Sequence, residues 1–169
     1  MAFKKGNRKN NNLIGTNNSD ELKGLRGRDT LTGLGGSDQL YGGKGRDVLY
    51  GGRGNDFLYG GAGSDRLDGY GGDSREIDNL HGGSGGDTFV IGTSSSSYYN
   101  KSGKNDYAFI EGFNPSEDVI MGVGGKVDSN NSNYDIATEY LSTPLGTAVR
   151  TSIFYQGDLV AYVPYVNGL

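Results

Sequence analysis

The chain has 169 residues, 32 of them glycine, with an apolar fraction of 33%, no cysteine and a formal net charge of -4. An apolar fraction below the ~45% of ordinary globular domains excludes a thick hydrophobic core. Three prolines and no Gly-X-Y period exclude a collagen-like rod, and the acidic balance offers no long basic face to nucleic acid.

The N-terminal stretch Met1 to Asn12 holds Lys4, Lys5, Arg8 and Lys9 followed by asparagines, with no apolar run behind the charges. It lacks the form of a signal peptide, and no segment of ~20 apolar residues is present to span a membrane. Residues 1–13 are expected to form a disordered basic tail.

A nine-residue unit follows, seen most plainly in Gly42 to Tyr59, which states it twice with glycine at positions one and four, aspartate at six and leucine at eight. Aspartate recurs at that step in Asp20, Asp29, Asp38, Asp47, Asp56 and Asp65, and leucine in Leu22, Leu31, Leu40, Leu49, Leu58 and Leu67. After Gly69 the register is interrupted by extra residues within Asp73 to Asp78, and the pattern resumes through Leu80 to Asp87 and Phe89. A short period repeated this often is the signature of a stacked solenoid.

The glycines exclude helix, where each costs ~1 kcal/mol relative to alanine. They suit a tight loop over positions one to six, and the x-Leu-x that follows suits a short strand with one side chain inward. Two units then make one coil, and coils stack as parallel strands ~4.8 Å apart. The leucines form a spine only two side chains thick, too thin to order so much glycine-rich backbone unaided.

The same stacking places Asp20, Asp38 and Asp56 on one edge and Asp29, Asp47 and Asp65 on the other. Carboxylates ~5 Å apart repel by ~0.8 kcal/mol per pair even at the dielectric of water. A divalent cation between them reverses the sign, and loops freed of side chains can turn carbonyls toward it. An all-oxygen donor set without histidine or cysteine favours calcium over zinc, and a flexible shell favours it over magnesium. A single Gly-x-Asp reads as a turn held by its own Asx hydrogen bond; a whole rank in register points to metal.

Gly42 to Leu58 and its neighbours resemble the RTX, or hemolysin-type, calcium-binding repeat, Gly-Gly-x-Gly-x-Asp-x-apolar-x, over about Gly15 to Val90. The resemblance implies an all-β fold, a right-handed parallel β-roll over residues 14–90, with several Ca2+ ions each held between one unit and the unit two further on. It implies four ligand sets: Leu34, Gly36 and Asp38 with Gly51, Arg53 and Asp56; Gly43, Gly45 and Asp47 with Gly60, Ala62 and Asp65; Leu25, Gly27 and Asp29 with Gly42, Lys44 and Asp47; and Gly61, Gly63 and Asp65 with Gly82, Ser84 and Asp87. The glycine and other non-aspartate members act through their carbonyls. Thr16, Asn17 and Asn18 replace the usual glycines ahead of Asp20, so a site joining Asp20 to Asp38 departs from the pattern. The interruption leaves open whether Asp73, Ser74 or Asp78 meets Asp56.

Position nine points to solvent and carries Tyr41, Tyr59 and His81 on one sheet, with Tyr41 and Tyr59 one coil apart and placed to stack. The lone histidine reads as a surface residue. Residues 91–105 form a Ser/Asn-rich loop. Asp106 to Phe113 and Glu117 to Ile120 read as two strands around an Asn-Pro-Ser turn, similar to a segment that follows the roll in many RTX proteins. Asp135 to Leu141 reads as a helix or a strand, and Ala148 to Tyr155 with Leu159 to Val166 as a hairpin turning at Gln156-Gly157-Asp158. An open solenoid end needs covering, so residues 106–169 are expected to form a small β-rich C-terminal cap.

The sequence holds no His-Glu-x-x-His, and no Gly-x-Ser-x-Gly elbow precedes a usable histidine. As it stands it leaves no room for a catalytic domain before the repeats, so no enzyme activity is expected. The reading is a secreted calcium-binding protein, folded by the ion outside the cell. The resemblance implies type I export without an N-terminal signal peptide, with Leu159 to Leu169 as part of an export signal. A calcium-dependent adhesive or carbohydrate-binding module with a glycan or cell-surface partner is the alternative. An ice-binding face would need an outward ladder of threonine and asparagine, which is lacking.

Overall fold

A computed structural model describes residues 1–72, 76–92, 107–122, 124–127, 134–143, 146–155 and 158–166. Every element among them is a strand: β1 (Phe3–Lys5), β2 (Asn12–Thr16), β3 (Glu21–Arg26), β4 (Thr30–Gly35), β5 (Gln39–Lys44), β6 (Val48–Arg53), β7 (Phe57–Ala62) and β8 (Arg66–Tyr70), then β9 (Ile77–Ser84), β10 (Thr88–Val90), β11 (Tyr107–Glu111), β12 (Val119–Gly122), β13 (Gly125–Lys126), β14 (Tyr134–Thr143), β15 (Gly146–Tyr155) and β16 (Asp158–Val166). Successive strands alternate between two sheets. One has the order β1-β3-β5-β7-β9-β11-β16-β15-β14 and the other β13-β12-β10-β8-β6-β4-β2. From β1 to β12 all neighbours within a sheet are parallel, the geometry of a β-solenoid.

Register follows the repeat. Leu22 lies beside Leu40, Leu40 beside Leu58 and Leu58 beside Leu80, while Leu31, Leu49 and Leu67 stack on the other sheet. All seven are fully buried, and Phe89, Ile110 and Ile120 continue the spine into later coils. The glycine at position one also faces inward: Gly24, Gly33, Gly42, Gly51, Gly60, Gly69 and Gly82 are all buried. The regular strands accordingly run six residues, longer than the expected x-Leu-x tripeptide, because the glycines at positions one and two continue the ladder.

The N-terminal segment differs from the expected disordered tail. β1 pairs in parallel with β3, Lys4 lying beside Leu22, and β2 pairs with β4. The first coil is thus built from residues outside the repeat. Backbone pairing needs no particular side chain, and Lys4, in the place of the leucine, turns its Nζ to the Ile14 carbonyl at 2.5 Å.

β11 and β12, expected in the cap, instead extend the two parallel sheets by a further coil beside β9 and β10. The covering is supplied by β14, β15 and β16, an antiparallel meander joined to the solenoid through a parallel pairing of β16 with β11. Ile153, Ala161 and Val163 from it enter the core cluster. The segment read as helix or strand is β14, and the expected hairpin is β15 with β16, Tyr155 facing Asp158. The Ser/Asn-rich loop lies, from residue 93 onward, outside the described residues. No helix among the described residues is long and apolar enough to cross a membrane.

Candidate metal centre

Each chain reversal is made by positions four to six, and backbone conformation explains the glycines there. Position four has positive φ at Gly27, Gly36, Gly45, Gly54, Gly63 and Gly85, a region that L side chains enter only at a cost. Position two does so as well, and in two units it is filled by leucine: Leu25 and Leu34 both stand at φ 86. Position one is glycine for a different reason. A Cβ on Gly42 would lie 2.6 Å from Asp47 Oδ2 and 2.7 Å from the Gly60 carbonyl oxygen, and on Gly60 it would lie 2.6 Å from both Asp65 Oδ2 and the Gly82 carbonyl oxygen.

The aspartates form two ranks, one along each edge. On the first edge the N–H of Asn11 donates to Oδ1 of Asp29, Asp29 to Asp47 and Asp47 to Asp65, each at 2.7 Å, then Asp65 to Asp87 at 2.9 Å and Asp87 to Asp118 at 2.8 Å. On the second edge the N–H of Asp20 donates to Asp38 at 2.7 Å, Asp38 to Asp56 at 2.8 Å and Asp56 to Asp78 at 2.9 Å. Asp78 is therefore the residue that meets Asp56. Each carboxylate thus ties its coil to the preceding one through a single oxygen.

The second oxygen has no such use. Oδ2 of Asp29, Asp38, Asp47, Asp56, Asp65 and Asp87 is buried and meets no hydrogen-bond donor. At positions Gly24, Gly33, Gly42, Gly51 and Gly60, the Oδ2 of the same unit and the position-one carbonyl of the next coil, from Gly42, Gly51, Gly60, Gly69 and Gly82 respectively, converge beside the glycine. Two acceptors turned toward one place, with no hydrogen-bond donor between them, are the arrangement a cation relieves. The donor set is oxygen throughout, carboxylate and carbonyl, which suits calcium.

The ends of the ranks are finished by hydrogen bonds instead. Asp20 Oδ2 accepts the Thr16 N–H at 2.6 Å and the Thr16 hydroxyl at 2.8 Å, and Asp118 Oδ2 accepts the Asn114 N–H at 2.8 Å. Thr16, an exception to the glycine pattern, thus performs a local task that distinguishes Asp20 from the inner aspartates.

Beyond the position-one carbonyls described above, the expected carbonyl ligands sort into three groups. Those at position two, Leu25, Leu34, Gly43 and Gly61, occupy the space a Cβ would need on Gly43, Gly52, Gly61 and Gly83 one coil on. Those at position four, Gly27, Gly36, Gly45 and Gly63, face Gly45, Gly54, Gly63 and Gly85 in the same way. At position three the carbonyls of Lys44, Ala62 and Ser84 accept the N–H of Gly27, Gly45 and Gly63 at 2.9, 2.8 and 2.8 Å, and Arg53 pairs in register with Gly35. Two acids outside the expected set join the ranks: Asp118, and Glu76 beside Asp56 and Asp78.

Burial governs the electrostatics. It pushes Asp38 and Asp65 up to about 6 and Asp56 up to about 9, the last assisted by the charges of Asp78, Asp38 and Glu76, and it also raises Asp29, Asp47 and Asp87. In Asp20 burial acts upward too, but the N–H of Ala2 and both Thr16 donors outweigh it and hold the carboxyl below its usual value. The raised groups bind more protons folded than unfolded. In calcium-free solution their stabilisation is complete below the ordinary aspartate value of 3.8 and is lost as pH rises through about 6 at Asp38 and Asp65 and about 9 at Asp56. The decalcified protein is therefore expected to hold more β structure at pH 5 than at pH 8 by circular dichroism. A β signal that rises with pH over that interval would contradict the assignment.

Tyr41 and Tyr59 stack as expected, ring centroids 5.0 Å apart and planes at 4°, with His81 tilted 6.1 Å beyond Tyr59 and Lys23 Nζ 5.2 Å from the Tyr41 ring centre. The ring faces that would receive a sugar are thereby turned to one another, the packing of a cross-strand ladder.

No curated protein matches the chain. Residues 14–49 and 41–76 match the family model of the RTX calcium-binding nonapeptide repeat, in four copies. Inner carboxylates in register, glycines where a Cβ would collide with the oxygen donors, and this match agree: residues 14–76 carry RTX calcium-binding nonapeptide repeats wound into a β-solenoid.

Proposed function

We propose that calcium uptake between coils is what folds this protein, and that it works outside the cell, where calcium is abundant. The observation that carries the reading is the set of six buried Oδ2 atoms without a donor. Closing the coils brings those oxygens together, and a bound cation offsets their repulsion in the closed state. In the proposed centres each inner aspartate lends Oδ2, and position-one, -two, -three and -four carbonyls complete the oxygen shells, in the ligand sets named from the sequence. Bound calcium supplies the positive charge; the chain's own part is to hold the oxygens at one place, exclude water from them and keep Cβ atoms out.

Linkage sets the size of the effect. An ion bound only by the folded roll adds about 2.7 kcal/mol at a hundredfold excess over its dissociation constant. Several such ions move the roll from unfolded to folded between low intracellular and high extracellular calcium. A chain extended at low calcium also suits passage through a narrow export channel, consistent with type I export directed by the C-terminal region. RTX repeats are typical of secreted proteins, which supports the same location. The stacked faces of Tyr41 and Tyr59 favour a packing role over a sugar platform for that pair.

The test is a calcium titration followed by far-ultraviolet circular dichroism and small-angle scattering. The metal-free chain at neutral pH should lack β signal and be expanded, and both measures should shift together on adding calcium. A compact β-roll persisting after complete decalcification at pH 7 would refute the proposal.

A further inference from the structure

Where the repeat is interrupted, the second edge departs from its pattern. Asp56 and Asp78 are 22 residues apart, whereas regular partners are 18 apart, yet the connecting hydrogen bond is kept. The longer connection carries a third acid into the rank. Glu76 is 1% exposed, and one carboxylate oxygen from each of Asp56, Glu76 and Asp78 lies within 4.8 Å of the others. Its direction is set from both sides: Oε1 accepts the Gly71 N–H at 3.0 Å, and its backbone carbonyl accepts the Tyr107 N–H from the next coil at 3.0 Å.

An observation independent of this clustering points to a ligand. Asp56 is fully buried, its Oδ2 meets no donor, and that oxygen shares its place beside Gly51 with the Gly69 carbonyl oxygen. A side chain so buried, with a lone acceptor turned toward a second acceptor, is aimed at a cation.

We infer that Asp56, Asp78 and Glu76, with the Gly69 carbonyl, form a three-carboxylate site for a divalent cation that fills before the two-carboxylate sites of the regular coils. The inference rests on the calcium reading above and adds to it a ligand that the nonapeptide repeat does not contain. Ligand charge count tunes the affinity of all-oxygen calcium sites over several decades, and one further carboxylate is expected to tighten this site about tenfold. The roll would then acquire its first ion near its middle, at the interruption of the repeat.

Calorimetric titration of the full chain with calcium tests this. The unaltered protein should bind one equivalent about tenfold more tightly than the rest, and Glu76→Gln should abolish that phase while leaving the weaker ones in place. An isotherm without a distinct tight phase, one unchanged in Glu76→Gln, or one weakened equally in every phase overturns the assignment. A chain that takes up no calcium at all sinks the calcium reading itself, a different outcome. Should Glu76→Gln fail to fold even in saturating calcium, the unaltered protein decides. Crystals grown with one equivalent of terbium should concentrate anomalous density between Asp56, Glu76 and Asp78; density spread evenly along the ranks overturns the inference.

Discussion

Asn in place of Asp47 is expected to stabilise the roll in a chelator and to destabilise it in calcium. Asp47 is fully enclosed, its Oδ1 accepts the Asp29 N–H, and its Oδ2 stands beside the Gly60 carbonyl without a donor. An asparagine keeps the first bond through its own Oδ1 and offers an N–H to that carbonyl in place of a second acceptor. Without metal this replaces a repulsive contact with a hydrogen bond and removes a buried charge, whose carboxyl burial already pushes upward. With metal the balance inverts, because Asp47 sits between Asp29 and Asp65 and serves two proposed ligand sets. Losing two ions forfeits about 5 kcal/mol at a hundredfold calcium excess. Native mass spectrometry should count two fewer ions, the β signal in a chelator should rise, and the melting temperature in calcium should fall. Shifts of the same sign in both conditions would show that Asp47 acts only as a turn residue.

Gly63→Ala is expected to cost roughly 3 kcal/mol or more even in saturating calcium, from overpacking together with an unfavourable backbone region. Its φ is 139°, and an added methyl would be driven into the Gly45 carbonyl. The atoms it would meet, on Gly45 and Arg46, are backbone and not the far end of a flexible side chain able to move aside. Gly35→Ala provides the contrast within the same fold. There φ lies outside the positive region and the nearest atom to a new Cβ is 3.8 Å away, so the change should be neutral or slightly stabilising through the unfolded chain. Urea midpoints in excess calcium measure both. Equal effects at the two positions would mean that glycine here supplies only flexibility.

The parts of the fold that were legible beforehand are those whose physical cause repeats. A carboxylate and a leucine recurring at a fixed step announce themselves, because Asp29 and Leu31 face the same surroundings as Asp47 and Leu49. The first coil was hidden because Asn11 and Lys4 stand where the unit has aspartate and leucine, and its pairing runs through backbone groups common to any sequence. Asp118 is 31 residues beyond Asp87, too far for a period to signal, although Asp118, Val119 and Ile120 repeat the order of aspartate, spacer and apolar residue. Glu76 carried no signal, since its place in the rank depends on how the longer connection folds. The strands looked shorter than they are because glycine, a poor strand former in isolation, continues the ladder where only its small size lets the carboxylates in.

The hydrogen bonds along the two edges all run one way: the earlier coil presents the N–H and the later coil the oxygen that receives it. Growth of the solenoid is therefore polar. A coil whose successor has not yet formed keeps dangling amides, while the last rung, Asp118 with Asn114, is self-sufficient. Along the edges, order should spread from later coils to earlier ones, each newly placed carboxylate capping an amide of the coil before it.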